Sequence, residues 1–244
     1  MSRLRLDEEM VRRGLAPSRS RARDAIRRGC VAVGGRTVDR PSAAVAADAV
    51  ISVDDPALAW VSRGALKLIA ALDAFGFAVE QRVCLDIGAS TGGFTQVLLA
   101  RGAACVHAVD VGHGQLDPMV AADPRVIVHE GLNARELGPQ VVPPPVDVIV
   151  ADVSFIPLRL AIAPALDLAG RGAVLVALVK PQFEVGREGL GKGGIVRDPD
   201  RAQAAVTDVE TWLAGRGWTV AGRLPSPIVG GDGNAEFLVG ARHG

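Results

Sequence analysis

Cysteine and lysine are both scarce in this chain. Cys30, Cys84 and Cys105 are odd in number and widely spaced, which argues against a disulfide framework and against a cysteine zinc site. No metal-ligating cluster is expected. No uninterrupted apolar run approaches the roughly 18 residues of a spanning helix. The charged N-terminus lacks the apolar segment of a secretory signal. These absences lead to the expectation of a cytoplasmic protein without a membrane partner. Lysine is limited to Lys67, Lys180 and Lys192, so arginine fills nearly every other cationic position. Arginine holds its proton near neutrality, whereas a buried lysine can give one up. The three lysines are therefore candidates for proton chemistry.

Net charge is absent as well, because 27 basic and 27 acidic residues cancel. The cancellation is uneven. Nine arginines stand between Arg12 and Arg40 against Asp24 and Asp39, and the rest of the chain is correspondingly acidic. Such segregation points to a polyanion-binding module joined to a neutral or acidic body. With 244 residues, 49% of them hydrophobic, the chain has room for one large α/β domain and one small module.

The most informative stretch runs from Val83 to Thr95. A short apolar segment containing Asp86 passes through Gly88-Ala89-Ser90-Thr91-Gly92-Gly93 and opens a segment with Phe94, Val97 and Leu98 at helical spacing. Strand, tight loop and helix start mark a cofactor site at the carboxyl end of a parallel strand. A dinucleotide site wants G-x-G-x-x-G, its middle glycine admitting a pyrophosphate. Here Ser90 takes that position. A second apolar strand, Val106 to Val109, leads to Asp110, well placed to take both hydroxyls of a ribose. S-adenosylmethionine fits this pattern better than NAD. Gly88 and Gly92 would let the backbone approach its methionine portion, with Asp86, Ser90, Thr91 and Gly93 completing the loop. Asn133, following the strand that ends at His129, is a candidate for the adenine edge.

Further elements follow from periodicity and caps. Residues 6–14 read as a short helix closed by Gly14, and Ser18 caps a second helix running to about Arg28. Residues 31–38 read as a hairpin around Gly34-Gly35. On the second helix Arg19, Arg23 and Arg27 stack at intervals of four, which costs roughly a few tenths of a kcal/mol per pair. Phosphates would offset that; a solvated charged face is the plain alternative. Arg12 joins this basic face. Residues 52–61 look like a linker, and a helix follows from Ser62 to about Phe75. Its buried face carries Ala65, Leu68, Ile69 and Leu72, with Lys67 off that stripe. Strands are expected at 83–87, 104–109, 125–129, 146–152 and 173–179, with helices near 93–101, 158–168 and 200–215. Strands alternating with helices imply a doubly wound, mostly parallel sheet. Residues 218–224 and 235–241 would close it as an antiparallel pair.

Four side chains stand out for chemistry. Asp152 and Lys180 end apolar strands and emerge at the carboxyl edge, where open α/β sheets hold ligands. Lys67 lies beside Ala70, Ala71 and Ala74, and Glu236 precedes the last strand. Taken singly, each has a plain reading as a cap or a solvated charge.

Residues 3–50, with two small helices, an arginine row and a Gly-turn hairpin, resemble the S4 domain, an RNA-binding module. The whole chain resembles the TlyA family, S4-linked ribosomal RNA 2′-O-methyltransferases related to the FtsJ methyltransferases. The matching segments are Ser62-Arg63-Gly64-Ala65-Leu66-Lys67-Leu68, Asp86 to Thr95, Asp152-Val153-Ser154-Phe155-Ile156, Leu178 to Glu184 and Asn234-Ala235-Glu236-Phe237. The resemblance implies an S4-like module over 1–51, a linker over 52–61 and a Rossmann-like methyltransferase over 62–244. It also implies a catalytic tetrad of Lys67, Asp152, Lys180 and Glu236, with Asp152 serving the cofactor site too. Ser62, Arg63 and Gly64 would close over the cofactor carboxylate. The implied substrate is ribosomal RNA or a ribosomal subunit, modified at a cytidine ribose, possibly of 16S and 23S RNA alike, and no oligomeric state is specified.

The tetrad suits a ribose hydroxyl, which is a poor nucleophile until nearly deprotonated. In one version Lys180 takes that proton; burial and the second amine favour this, while Asp152 and Glu236 oppose it. In the other, both lysines stay charged and stabilise the developing alkoxide while Asp152 orients them. Both stay open at this stage. Amine methylation would favour an Asn/Asp-Pro-Pro-aromatic segment where Asp152-Val153-Ser154-Phe155 stands. Pyrimidine carbon-5 methylation needs a cysteine, and none follows Cys105. Gly186 to Lys192 matches a bare P-loop pattern, but Gly193 stands where a Ser or Thr should hold magnesium. Residues 184–198 read instead as a loop over the substrate, with Arg187, Lys192 and Arg197 near RNA phosphates. Two alternatives of other classes are a membrane-active hemolysin, a label this family has carried, and an inert RNA-binding assembly factor.

Overall fold

The computed structural model describes residues 4–230 and 233–244, apart from the side chain of Arg187. Packing divides the chain into two units, Met1–Arg63 and Gly64–Gly244.

The small unit begins with β1 (Leu4–Arg5), α1 (Leu6–Arg12) and α2 (Arg19–Arg27). Ser18 Oγ caps α2 by accepting from the Arg21 N–H at 3.3 Å. Next come β2 (Val31–Val33) and β3 (Arg36–Thr37), paired antiparallel across the Gly34-Gly35 turn, then β4 (Ala44–Val45) and β5 (Ile51–Val53). β5 adds to the other side of β2, and β4 pairs with β1. Leu6, Met10, Ala22, Ala25, Ile26 and Val31 form the core, all from the apolar stripes of α1 and α2 and the inward side of β2.

The arginine row is held differently from the sequence expectation. Asp7 is fully buried and accepts from Arg5 Nε at 3.0 Å, Arg23 Nε at 2.8 Å and Arg19 at 3.4 Å. Arg19 also lies 3.1 Å from Glu8, while Arg12 and Arg13 each reach Glu9 at 2.5 Å. Acids of α1 thus offset the like-charge spacing on α2, where phosphates had been expected to do so. Arg27 is exposed and has no ion pair among the described residues. Burial by itself would raise the Asp7 carboxyl, but the arginine hydrogen bonds overcome it and hold the group well below its ordinary range. Bonds from Arg12 and Arg13 bring Glu9 down to about 2.

The stretch expected as a linker is structured up to Trp60. Ile51–Val53 is a strand, and Pro56–Ala59 forms a 3-10 turn capped by the Asp55 carboxylate on the Ala57 N–H at 2.9 Å. Arg21, half-buried, donates to the Ala57 carbonyl and to the Trp60 carbonyl, the latter at 2.9 Å. A partly buried guanidinium needs such acceptors, and this one folds the segment onto the small unit.

The large unit opens with α3 (Ala65–Phe75), β6 (Val83–Ile87), α4 (Gly93–Ala100), β7 (Cys105–Asp110), α5 (Pro118–Ala121) and β8 (Val126–Glu130). It continues with β9 (Val146–Ala151), α6 (Leu158–Leu166), β10 (Ala169–Val179), α7 (Pro181–Glu184), α8 (Pro199–Ala214), β11 (Trp218–Pro225) and β12 (Phe237–His243). Seven strands lie in the order β11-β12-β10-β9-β6-β7-β8. β10, β9, β6, β7 and β8 are mutually parallel, and β12 and β11 close the sheet antiparallel. The expected strands and helices appear within a few residues, except that β10 starts at Ala169 and shifts register before Val174. Near-continuous runs such as Val148–Ala151 and Ala173–Val179 are buried on both faces, as a helix-covered parallel sheet requires. Strand order reverses between β6 and β9, which opens a crevice at their carboxyl ends. Among the described residues no helix is long and apolar enough to cross a membrane.

α3 lies across the antiparallel end of this sheet. The Phe75 ring occupies the space where a side chain at Gly240 would stand and lies against Gly222. That seating turns Lys67 inward. It is buried, whereas the helical stripe had placed it outside.

The acid pairs make the small unit pH-sensitive in a defined direction. Their folded-state carboxyls sit below the ordinary range, so their stabilisation is present above that range and lost as the pH falls through the folded values. Amide protection in α1 and α2, taken relative to the intrinsic exchange rate at each pH, is expected to fall as the pH drops from about 4.5 to about 2, and Glu9→Gln should shrink that dependence.

Candidate active site

Asp152 follows β9 directly, its backbone N–H bonded to the Ile87 carbonyl at 3.0 Å. Its carboxylate bridges two ammonium groups. Lys180 Nζ lies 2.7 Å from Oδ1 and Lys67 Nζ lies 3.5 Å from Oδ2. Lys67 is also 2.7 Å from Glu236 Oε2. Four residues far apart in sequence thus meet at the carboxyl edge, brought there by α3 and the ends of β9, β10 and β12. Both lysines and Glu236 are buried, while Asp152 keeps some exposure and faces the cavity described below.

Ser154 is a fifth member that sequence reasoning left without a role. Its Oγ accepts from Lys180 Nζ at 2.7 Å. Its place two residues after Asp152, in a loop facing the lysine strand, was the available signal. Phe155 was passed over too. It is 91% exposed, has φ +66°, and rests its ring 5.3 Å from that of Phe183. A bulky residue in the left-handed region costs of order 1–3 kcal/mol. Glu184 steadies the same loop by accepting the Leu158 N–H at 2.6 Å.

A cavity of about 500 Å³ opens beside the tetrad, lined by Gly88, Ser90, Asp110, Asn133, Asp152 and Phe155 among others. The backbone allows it. Gly88 and Ser90 take positive φ, and a Cβ at Gly88 would collide with the Asp152 carbonyl oxygen, so only glycine lets β6 and β9 come this close. Asp110 ends β7, accepting from the Ser90 and Gly112 N–H groups at 2.8 Å each. Asn133 Oδ1 caps the next turn at the Arg135 N–H, 3.1 Å away.

Other expected cofactor residues do not line this cavity. Asp86 is fully buried beneath it, with Oδ2 accepting from Thr95 Oγ1 at 2.6 Å and Oδ1 without a hydrogen-bond partner among the described residues. Gly92 is covered instead by Leu116 and Val120, at 2.7 and 3.1 Å from where its Cβ would be. Thr91 accepts from the Asp117 N–H at 3.2 Å, and Gly93 starts α4. Gly64 caps α3. Ser62 and Arg63 belong to the small unit, with Arg63 paired to Asp24 at 2.7 Å. Of the basic loop, Lys192 and Arg197 are exposed, and the Arg187 side chain lies outside the described residues. Asn234 ties this loop down, accepting from the Val196 N–H at 3.0 Å and donating to the Gly194 carbonyl at 3.2 Å.

These residues suit a nucleoside that carries a cation. The volume matches a ligand pocket of small-molecule size. Asp86, Asp110 and Asp152 stand close enough that the latter two push the Asp86 carboxyl in the same direction as its burial. A positive ligand relieves that crowding.

The FtsJ-like methyltransferase family model matches residues 60–243, and the S4 domain model matches residues 4–51. The 16S/23S rRNA (cytidine-2′-O)-methyltransferase TlyA of Mycobacterium tuberculosis is 48% identical over 98% of this chain and 90% of its own length. The chain belongs to the TlyA family. Hemolysin A of Brachyspira hyodysenteriae is 40% identical across 96% of this TlyA-family chain and 98% of its own. A solved structure from Streptococcus thermophilus, provisionally named a hemolysin, superposes with a TM-score of 0.77 at 38% identity, covering 100% of this chain and 89% of that one.

Burial pushes Asp86 up to about 7, against the Thr95 hydrogen bond. The folded state therefore favours its protonated form, and the stability it contributes is lost as the pH rises from about 4 through about 7. Asp86→Asn should remove this dependence, which amounts to about 4 kcal/mol across the window. Chemical denaturation of both proteins at stepped pH measures it.

Proposed function

We propose that this chain transfers a methyl group from S-adenosylmethionine to the ribose 2′-hydroxyl of a cytidine in ribosomal RNA of one or both subunits, acting in the cytoplasm. Residues 1–51 would hold RNA, 52–61 would connect, and 62–244 would carry the chemistry. The observation that carries this reading is the meeting of Lys67, Asp152, Lys180 and Glu236 beside the cavity that Asp110 and Asn133 line.

S-adenosylmethionine supplies an electrophilic methyl carbon on a sulfonium. The chain's part is to place and activate the hydroxyl. Gly88 leaves the backbone open to the methionine portion, Asp110 accepts from the ribose of the cofactor, and Asn133 keeps its amide N–H groups for the adenine edge. Lys180, held by Asp152 and Ser154, faces the incoming hydroxyl and in this version, as the neutral amine, takes its proton while the oxygen bonds the methyl carbon and the sulfonium leaves as the thioether. Lys67 remains ion-paired to Glu236 and steadies Asp152. Phe155 offers an exposed ring at the cavity mouth on which a nucleobase can stack. In-line alignment would contribute much of the rate. A second version has support in the 2.7 Å contacts of both ammonium groups with carboxylates: both stay charged and stabilise the alkoxide.

Lys180→Ala should abolish methyl transfer in single-turnover assays while RNA affinity changes within about threefold; an active variant removes Lys180 from the mechanism. Lys180→Arg separates the two versions, because arginine keeps the charge but cannot take a proton. No activity supports the base, and partial activity supports the charged pair. Mapping ribose methylation in ribosomal RNA with and without the gene tests the function itself.

For RNA, Arg27, Arg36 and Arg40 are exposed without ion pairs among the described residues, whereas Arg12, Arg19 and Arg23 share theirs with acids. Replacing the first three with alanine should weaken RNA binding and reduce its salt slope by about 2–3. Replacing Arg19 and Arg23 should affect stability more than the slope. Equal slopes in all variants would leave the basic face merely solvated.

A further inference from the structure

Residues 112–117 form a strap between β7 and α5, and one carboxylate holds its middle. Glu130, the last residue of β8, accepts three consecutive backbone N–H groups, from Gly114 at 2.7 Å, Gln115 at 3.0 Å and Leu116 at 3.3 Å. A carboxylate offers about four lone-pair sites, so most of its capacity goes to this strap. The hydrogen bonds hold its carboxyl below the ordinary range.

The strap is fastened at both ends to the cofactor loop. At its start Asp110 accepts from Gly112 and Ser90 together, each at 2.8 Å. At its far end Leu116 sits against Gly92, and the Asp117 N–H donates to the Thr91 carbonyl at 3.2 Å. Between these ties the Gln115 side chain folds back over Gly112, with Oε1 3.4 Å from Ser90 Oγ. It lines the cavity beside Asp110, and its Nε2 has no hydrogen-bond partner among the described residues.

The chemistry of this corner is complementary. Asp110 can only accept, so it satisfies the protons of a vicinal diol and leaves the hydroxyl lone pairs unmet. An amide N–H beside it meets that need. We infer that Gln115 is a ribose-binding residue, donating from Nε2 to a hydroxyl of the cofactor ribose, and that Glu130 positions it through the strap. The inference rests on the proposed cofactor and extends it to two residues that no sequence motif indicated.

Binding, not turnover, tests it. The ligand is S-adenosylhomocysteine, titrated calorimetrically into the full chain, against an analogue whose adenosine is 2′,3′-dideoxy. Gln115→Ala is expected to weaken the ribose ligand about tenfold and the dideoxy analogue less than about twofold, because the lost bond exists only with hydroxyls. Glu130→Gln keeps the side-chain shape but has one oxygen for three donors. It should weaken the ribose ligand about five- to tenfold, and the double variant should bind little worse than Gln115→Ala, as expected for residues acting through one contact. Equal losses on both ligands would reduce Gln115 to packing and overturn the inference, as would a Gln115→Ala protein that binds the ribose ligand within twofold of the parent. A Glu130→Gln loss that adds fully to that of Gln115→Ala would remove Glu130 from the positioning role. An unaltered chain that binds neither ligand would sink the cofactor reading, a different failure from these.

Discussion

Everything at the carboxyl edge of the sheet depends on one carboxylate, Asp152, spanning two buried ammonium groups. Charges taken out of water are tolerated when each finds an opposite partner. Here two lysines face two acids, and the set is close to neutral. Removing one member strands another, at a cost of roughly 3–5 kcal/mol for a buried pair. That penalty draws α3 and the ends of β9, β10 and β12 to one point. Phe75, seated against glycines of β11 and β12, supplies the packing that lets α3 deliver Lys67.

The adjoining cavity follows a similar economy of few polar groups. Asp110 fastens the glycine loop to the strap while facing the space where a ribose would lie. Asp86 works from below, tied to Thr95 at the start of α4 and so holding the loop between them. Both acids organise the loop first, and the ligand would meet a surface already shaped. Such prior organisation is what makes positioning effective in catalysis.

In the small unit the same rule acts on arginine. A row of guanidiniums on α2 looks in sequence like an open invitation to phosphate. The fold gives α1 three acids, two of them fully buried, and of these Asp7 and Glu8 take up Arg19 and Arg23. Spacing on a single helix could not reveal this, because the partners come from the neighbouring helix. Arg27 stays exposed, and Arg36 and Arg40 beyond it come from the hairpin and its exit.

The local grammar of the chain was legible without coordinates. Apolar runs bounded by glycine placed the strands, Ser18 placed a cap, the Gly34-Gly35 pair placed a hairpin, and Gly88 to Gly93 marked the loop at the switch between β6 and β9. These follow from backbone sterics and from burial on both faces of a strand, which act over a few residues and leave a written pattern. The tetrad was named from motifs, but its contacts belong to tertiary structure, since Lys67 and Glu236 lie far apart in the chain and meet only when α3 crosses the sheet. Side-chain alliances of that kind, such as Asp7 with the arginines, Ser154 with Lys180 and Glu130 with the strap, depend on which charges and donors are shut away from water together. Sequence alone determined the elements and the residues able to do chemistry; the packed fold decided which of them face one another, because only burial makes an unpaired charge or N–H too costly to leave alone.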